Sequence, residues 1–293
     1  MAVGIYSIVL RSNQGAALMS GTDSAFTGKI PELYDQLMGP MLFHPYAADM
    51  ATRLQWLTAG HVLETAAGTG ILTRAMAAAL PPAVAITATD LNQPMLDHAA
   101  VQPGATRVVW QQADAQKLPF GDRIFDAVVC QFGVMFFPDK AAGYREAWRV
   151  LKPGGRLLFS VWSALESSPI ADTVAKAVAA WFPADPPQFI ARIPHGYNDI
   201  DAIDAALGAA GFTAIEAERR VEHSHAVSSG AAARAFCQGT PLRGEITARD
   251  AAQLEEVTAA AAQALAVRFA GGAIEAPITA PMEAIIFSAI RAG

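Results

Sequence analysis

A chain of 293 residues is long enough for one large α/β unit or for two small lobes around a real core. Its 21 basic against 27 acidic residues leave no basic footprint for nucleic acid, and its two cysteines, Cys130 and Cys237, form neither a disulfide framework nor a C-x-x-C pair for zinc or thiol redox chemistry. That cysteine usage fits a reducing cytoplasm; the mean hydropathy of +0.27 owes much to alanine and no charge-poor stretch has the length of a spanning helix, so no membrane insertion is expected.

From the N-terminus, Val3 to Leu10 is apolar but short, has no Lys or Arg before it and meets Arg11 at once, which is not the layout of a secretory signal. Residues 1–20 read as a flexible tail, with Met19 an alternative start. Residues 21–60 read as a lid, in which an irregular stretch, ELYDQLMGPMLFH, leads into an amphipathic helix with Pro45 in its first turn. Residues 61–162 read as a cofactor-binding core. There, β-like runs (HVL, VAITATD, TRVVWQQAD, IFDAVVCQFG, GRLLFSVW) alternate with helical ones, the rhythm of a parallel sheet with crossover helices. Pro81 and Pro82 stop the first crossover helix. At LKPGG the last one is expected to end, with Lys152 suited to the negative helix terminus and Gly154 or Gly155 supplying a positive-φ turn. Residues 163–199 give a helix and a proline-broken loop, too long for a simple connection and read as a cap insertion. Residues 200–293 return to the sheet: a helix closed by Gly211, the strand TAIEAERRV, a helical insertion at 231–269 and a last strand, MEAIIFSAIRA.

The informative stretch is Glu64-Thr65-Ala66-Ala67-Gly68-Thr69-Gly70, between a strand and a helix. Glycine lets the backbone approach a ligand with no Cβ in the way, and the helix start offers unpaired N–H groups. Asp90, at the end of VAITATD, follows Gly70 by one helix plus one strand, so its carboxylate arrives beside the glycine loop, where it can accept from two ribose hydroxyls. A solvated loop aspartate is the plain alternative. Dinucleotides and S-adenosylmethionine both use this architecture. The dinucleotide fingerprint wants Gly or Ala at position 73, where this chain has Thr73. Glu64, at the strand end, opposes a pyrophosphate but suits a ligand carrying an ammonium and a sulfonium; without a ligand it is an acid near the next helix's N-terminus.

On these residues the chain resembles the Rossmann-like S-adenosylmethionine-dependent methyltransferases, particularly the small-molecule group that includes the ubiquinone and menaquinone C-methyltransferases, from about Tyr34 to Trp162 and again in the final strand. The resemblance implies an α/β fold: a doubly wound, mostly parallel seven-stranded sheet with an antiparallel last strand, plus helical lid and cap insertions. It implies Glu64 near the methionine moiety and the backbone of Ala66, Gly68, Thr69 and Gly70 against the cofactor, with Ala66 in place of the more usual first glycine. Asp90 would hold the ribose, with Leu91 and Asn92 along the adenosine. Asp114, with Ala115 beside it, would meet the adenine amino group. Gln131 and Phe132 would lie near the methionine part and the sulfonium, and Tyr34 and Phe43, in the lid segment, would close over it.

Each assignment has a plain counterpart: Asp114 as a turn residue, Phe132, Met135, Phe136 and Phe137 as core, Tyr34 as a packed ring with its hydroxyl at the surface. No metal site is expected, since His223 and His225 alternate on one strand face without a third ligand, and no G-x-S-x-G, P-loop lysine or H-E-x-x-H occurs. His44 in the lid and His195 in the cap are the candidates for a catalytic base, needed only for a protonated nucleophile. The expectation is an enzyme, monomer or homodimer, that moves a methyl group from S-adenosylmethionine to an O, N or C nucleophile of a small, partly apolar or aromatic molecule. Trp181, Phe182, Phe189 and Tyr197 place substrate choice in the cap and the 231–269 helices, unless these form an accessory lobe only. A nicotinamide-dependent dehydrogenase and a non-catalytic binding protein on the same fold are the competing readings.

Overall fold

The computed structural model describes residues 30–293; the tail and the first part of the lid read from the sequence lie outside the described residues. Helix α1 (Ile30–Leu33), a π-helical run over Tyr34–Phe43 and α2 (His44–Thr52) follow one another without a break. ELYDQLMGPMLFH is therefore helical rather than irregular. Pro40 has no N–H to donate and its ring crowds the preceding turn, and the wider coil accommodates it, with the His44 N–H reaching Gly39 O at its end.

The core continues with β1 (Gly60–Glu64), α3 (Ile71–Ala79), β2 (Val84–Asp90), α4 (Gln93–Ala100), β3 (Val108–Gln112), β4 (Phe125–Gln131), α5 (Lys140–Val150) and β5 (Leu151–Trp162). After it come α6 (Pro169–Trp181), α7 (Phe189–Arg192), α8 (Ile200–Ala209), β6 (Phe212–Ala226), α9 (Ser229–Gln238), α10 (Leu242–Asp250), α11 (Leu254–Phe269) and β7 (Ile278–Arg291). The sheet order is β3-β2-β1-β4-β5-β7-β6. Strands β1 to β5 pair in parallel, and β7 is antiparallel to both β5 and β6. This is the doubly wound α/β fold with an antiparallel last strand. Chain order reverses on the two sides of β1, so a crevice opens beyond the carboxyl ends of β1 and β4.

Two local readings change. Lys152 does not serve the end of α5, because β5 starts at once at Leu151; its Nζ lies 2.8 Å from Asp126 Oδ2 on the neighbouring strand. Gly154 takes the left-handed turn, with φ +77°. Strand β6 runs beyond TAIEAERRV to Ala226, because β7 offers a partner along that whole length. His223 and His225 are exposed on this edge strand. Gly211 closes α8 with φ +99°, where a Cβ would meet the Trp148 indole at 2.9 Å. Among the described residues no group of three His, Cys, Asp or Glu could hold a metal ion, and no helix is long and apolar enough to cross a membrane.

Candidate functional site

At the carboxyl ends of β1, β2 and β4 lies a cavity of about 250 Å³. Every contact residue read from the sequence lines it except Gly70. Gly70 instead starts α3 at φ +78°, where a Cβ would strike the Trp110 ring at 2.7 Å, so its role is to let the helix start pack closely. His44 is exposed at the start of α2 and lines neither this cavity nor the one described below.

Glu64 ends β1 and is 1% exposed. Burial pushes its carboxyl pKa up to about 8, against the pull of a 2.5 Å hydrogen bond donated by Thr73 Oγ1 and with a further push from the Asp90 charge. Thr73, a mere mismatch in the sequence pattern, thus has a place: in the first turn of α3, its hydroxyl faces the strand-end acid. Asp90 ends β2, 7% exposed, and accepts from the Gly68 and Asn92 N–H groups at 2.8 Å each. Burial raises its pKa and these amides oppose the shift. A carboxylate has about four acceptor sites, so capacity remains for hydroxyls in the cavity.

Ala66 sits at φ +52°, the left-handed region that favours glycine. Its methyl is accommodated across the loop by Gly133, where a Cβ would come within 2.5 Å of Ala66 Cβ. Gln131, at the end of β4, donates weakly to Phe43 O at 3.4 Å, and its buried Oε1 has no partner among the described residues. Asp114 accepts from the Gln116 N–H at 2.8 Å, the geometry of a turn residue, while also lining the cavity. Leu91, Asn92 and Ala115 complete that side. Tyr34 stacks on Phe43 with ring centroids 4.9 Å apart, and burial drives its phenol pKa far up. Phe132 is core and lining at once: it stacks on Trp162 at 3.9 Å with the rings 7° from parallel.

A second cavity of about 60 Å³ adjoins the first and shares Tyr34, Phe43, Phe132 and Phe136 with it. Met135, Trp162, Phe189 and Phe236 supply much of its remaining wall, and His195 lines it. Among the described residues no Asp, Glu, Lys or Arg does. Sequence reading missed Met95 and Phe136 in the first cavity and most of the second, because an apolar side chain at a cavity wall carries the same pattern as one in the core.

The first cavity fits a nucleoside with a cationic amino-acid tail. Two buried acids and an amide oxygen without a partner can accept hydrogen bonds, and among the described residues no Lys or Arg lines the wall to neutralise a pyrophosphate. The comparisons agree. Residues 62–155 match the family described as a methyltransferase domain. The ubiquinone/menaquinone biosynthesis C-methyltransferase UbiE of Geobacter sulfurreducens is 37% identical over 114 residues, 38% of this chain and 44% of the relative. The UbiE of Burkholderia mallei is 31% identical over 203 residues, 63% of this chain and 80% of the relative. Among solved structures, phosphoethanolamine N-methyltransferase 2 of Haemonchus contortus in complex with S-adenosyl-L-methionine shares the fold, with a TM-score of 0.58, 15% identity and coverage of 94% of this chain and 61% of that one. Fold and site together define an enzyme of the methyl-transfer class. The chain belongs to the S-adenosylmethionine-dependent methyltransferases, is similar within them to the UbiE C-methyltransferases, and takes S-adenosylmethionine as its cofactor. The dehydrogenase and non-catalytic readings are not favoured.

Proposed function

We propose that this enzyme methylates a small, partly apolar or aromatic molecule seated in the second cavity, by in-line displacement across the wall that the two cavities share. The observation that carries this reading is the adjacency itself: Tyr34, Phe43, Phe132 and Phe136 line both spaces. When bound, S-adenosylmethionine supplies a methyl group already activated by its positive sulfur. The protein's part is to hold two partners in line and exclude water, and orientation of this kind is worth roughly 7–11 kcal/mol of barrier.

In this reading Glu64 and Gln131 receive the methionine end, and the backbone at Ala66, Gly68 and Thr69 passes alongside. Asp90 holds the ribose, Leu91 and Asn92 follow the adenosine, and Asp114 with Ala115 meets the adenine edge. Tyr34 and Phe43 form the cover, so the helical N-terminal segment acts as a lid, and Phe189 in the 163–199 segment belongs to the acceptor's wall as a cap residue. Thermal unfolding tests the cofactor half. S-adenosylhomocysteine at about 100 times its dissociation constant adds roughly 2.7 kcal/mol of stability, and NAD or NADP adds none. A shift with the nicotinamide cofactors instead overturns the reading. Mass increase across a panel of phenols, quinols and amines identifies the acceptor.

A further inference from the structure

The polar side chains that line the second cavity indicate which acceptor it takes. A charged acceptor would leave its charge unpaired there, since among the described residues no charged side chain lines the wall. Two buried polar side chains keep an atom without a hydrogen bond among the described residues. His195 is 7% exposed and its Nδ1 lies 2.8 Å from Ser163 O. A carbonyl only accepts, so Nδ1 carries the proton and Nε2 the lone pair. Burial holds the ring's pKa down at about 4, so the imidazole is neutral at pH 7. The ring is aligned from behind. The Ser163 N–H donates to Glu283 O at 3.0 Å and Ser163 Oγ to Glu283 Oε1 at 2.7 Å, while Arg219 Nη1 donates to Ser163 Oγ at 2.8 Å.

The second unused atom belongs to Ser168, 6% exposed, at the position before α6 where a serine ordinarily accepts from a first-turn amide. It makes no such bond, and its buried Oγ has no partner among the described residues. Thr240, also in the lining, is already satisfied: it donates to Phe236 O at 2.7 Å and accepts from the Leu242 N–H at 3.2 Å.

We infer that the second cavity takes an uncharged, flat acceptor of the phenol class, its hydroxyl held between Ser168 and His195, with His195 Nε2 receiving the hydroxyl proton. This rests on the methyl-transfer reading above. In the step, the acceptor's O–H bond breaks and its proton passes to Nε2 as the bond from oxygen to the methyl carbon forms, which makes that proton acidic enough for an imidazole of lowered pKa. The oxygen's electron pair forms the bond to the methyl carbon as the carbon–sulfur bond breaks with its pair left on sulfur. The imidazolium then returns its proton to solvent. The two polar side chains hold the acceptor by its oxygen, so oxygen is the atom assigned to receive the methyl group. Ser163, Glu283 and Arg219 are positioning residues for the ring.

The test uses the full chain loaded with S-adenosylhomocysteine and three probes: 4-nitrophenol, nitrobenzene and 4-nitrobenzoate. By calorimetry, 4-nitrophenol binds at least tenfold more tightly than either of the others, and its affinity falls as the probe itself ionises. His195→Asn, which keeps an N–H for Ser163 O but deletes Nε2, removes that preference and leaves S-adenosylhomocysteine binding intact. Its turnover of phenol acceptors drops at least 100-fold, with KM moving less. Ser168→Ala loses part of the same preference. No advantage for 4-nitrophenol, an unchanged His195→Asn variant, or a product methylated on ring carbon overturns the inference. Failure of the wild type to bind S-adenosylhomocysteine removes the methyl-transfer reading instead.

Discussion

The two cavities are made differently. The first is built by the sheet: its polar groups are mainly the last residues of β1, β2 and β4 and the loops that leave these strands and β3, at separations set by helix and strand lengths. The second is built by side chains from distant stretches, among them Phe43, Phe132, Trp162, His195 and Phe236. A site at strand ends comes with the fold, whereas a site assembled from packed aromatics comes only with the tertiary structure.

The largest effect is expected where the two meet. Trp162→Ala removes the ring stacked on Phe132 and costs ~3–5 kcal/mol in denaturant unfolding, the usual range for a buried aromatic truncated to alanine. A loss below about 1 kcal/mol means that the shared wall is not part of the core. Next comes the first cavity alone. On the proposed ribose role, Asp90→Ala gives up two hydrogen bonds of about 1.5–3 kcal/mol each, so affinity for S-adenosylhomocysteine is expected to fall by roughly 100-fold or more in calorimetry. An unchanged affinity removes Asp90 from the ribose.

Glu64 separates the cavities by pH. Its carboxyl, with a pKa of about 8, is protonated at neutral pH, and a cation beside it must displace that proton. Affinity for S-adenosylmethionine therefore rises between about pH 6 and 8, by up to about tenfold per unit, and levels off above. Glu64→Gln binds more weakly and without this slope, which calorimetry across pH reads directly. The stability effect has the opposite sense. A folded-state pKa above the unfolded value means that stability is full below about 4.5 and is lost as pH rises through about 8, so Glu64→Gln gains stability at alkaline pH in the absence of cofactor. The smallest effect is at Ala66. Glycine there relieves a left-handed alanine and stabilises by about 1 kcal/mol, seen as a small rise in Tm; a fall shows that the methyl packed over Gly133 is worth more than the strain.

The same contrast explains what was legible in the sequence. The alternation from His61 to Trp162 and the Glu64-to-Asp90 spacing foretell the parallel sheet and the crevice because helix and strand lengths translate directly into position. The helical path through Pro40 was not legible, since a proline ordinarily ends a helix and only the wide coil over Tyr34–Phe43 absorbs it. Lys152 next to a helix end looked like a dipole partner, yet its Asp126 lies across a strand pair that sequence order does not reveal. Between the two candidate bases the sequence offered no choice: both are lone histidines, and only burial and the Ser163 carbonyl set His195 apart from exposed His44.

The measurement that bears most directly on the central claim is a crystal structure of the protein grown with S-adenosylhomocysteine. The account predicts the ribose hydroxyls within hydrogen-bond reach of Asp90, the amino group beside Glu64 and Gln131, and the sulfur turned toward Phe132 and the second cavity. The nucleoside bound anywhere else, or with its ribose away from Asp90, contradicts it.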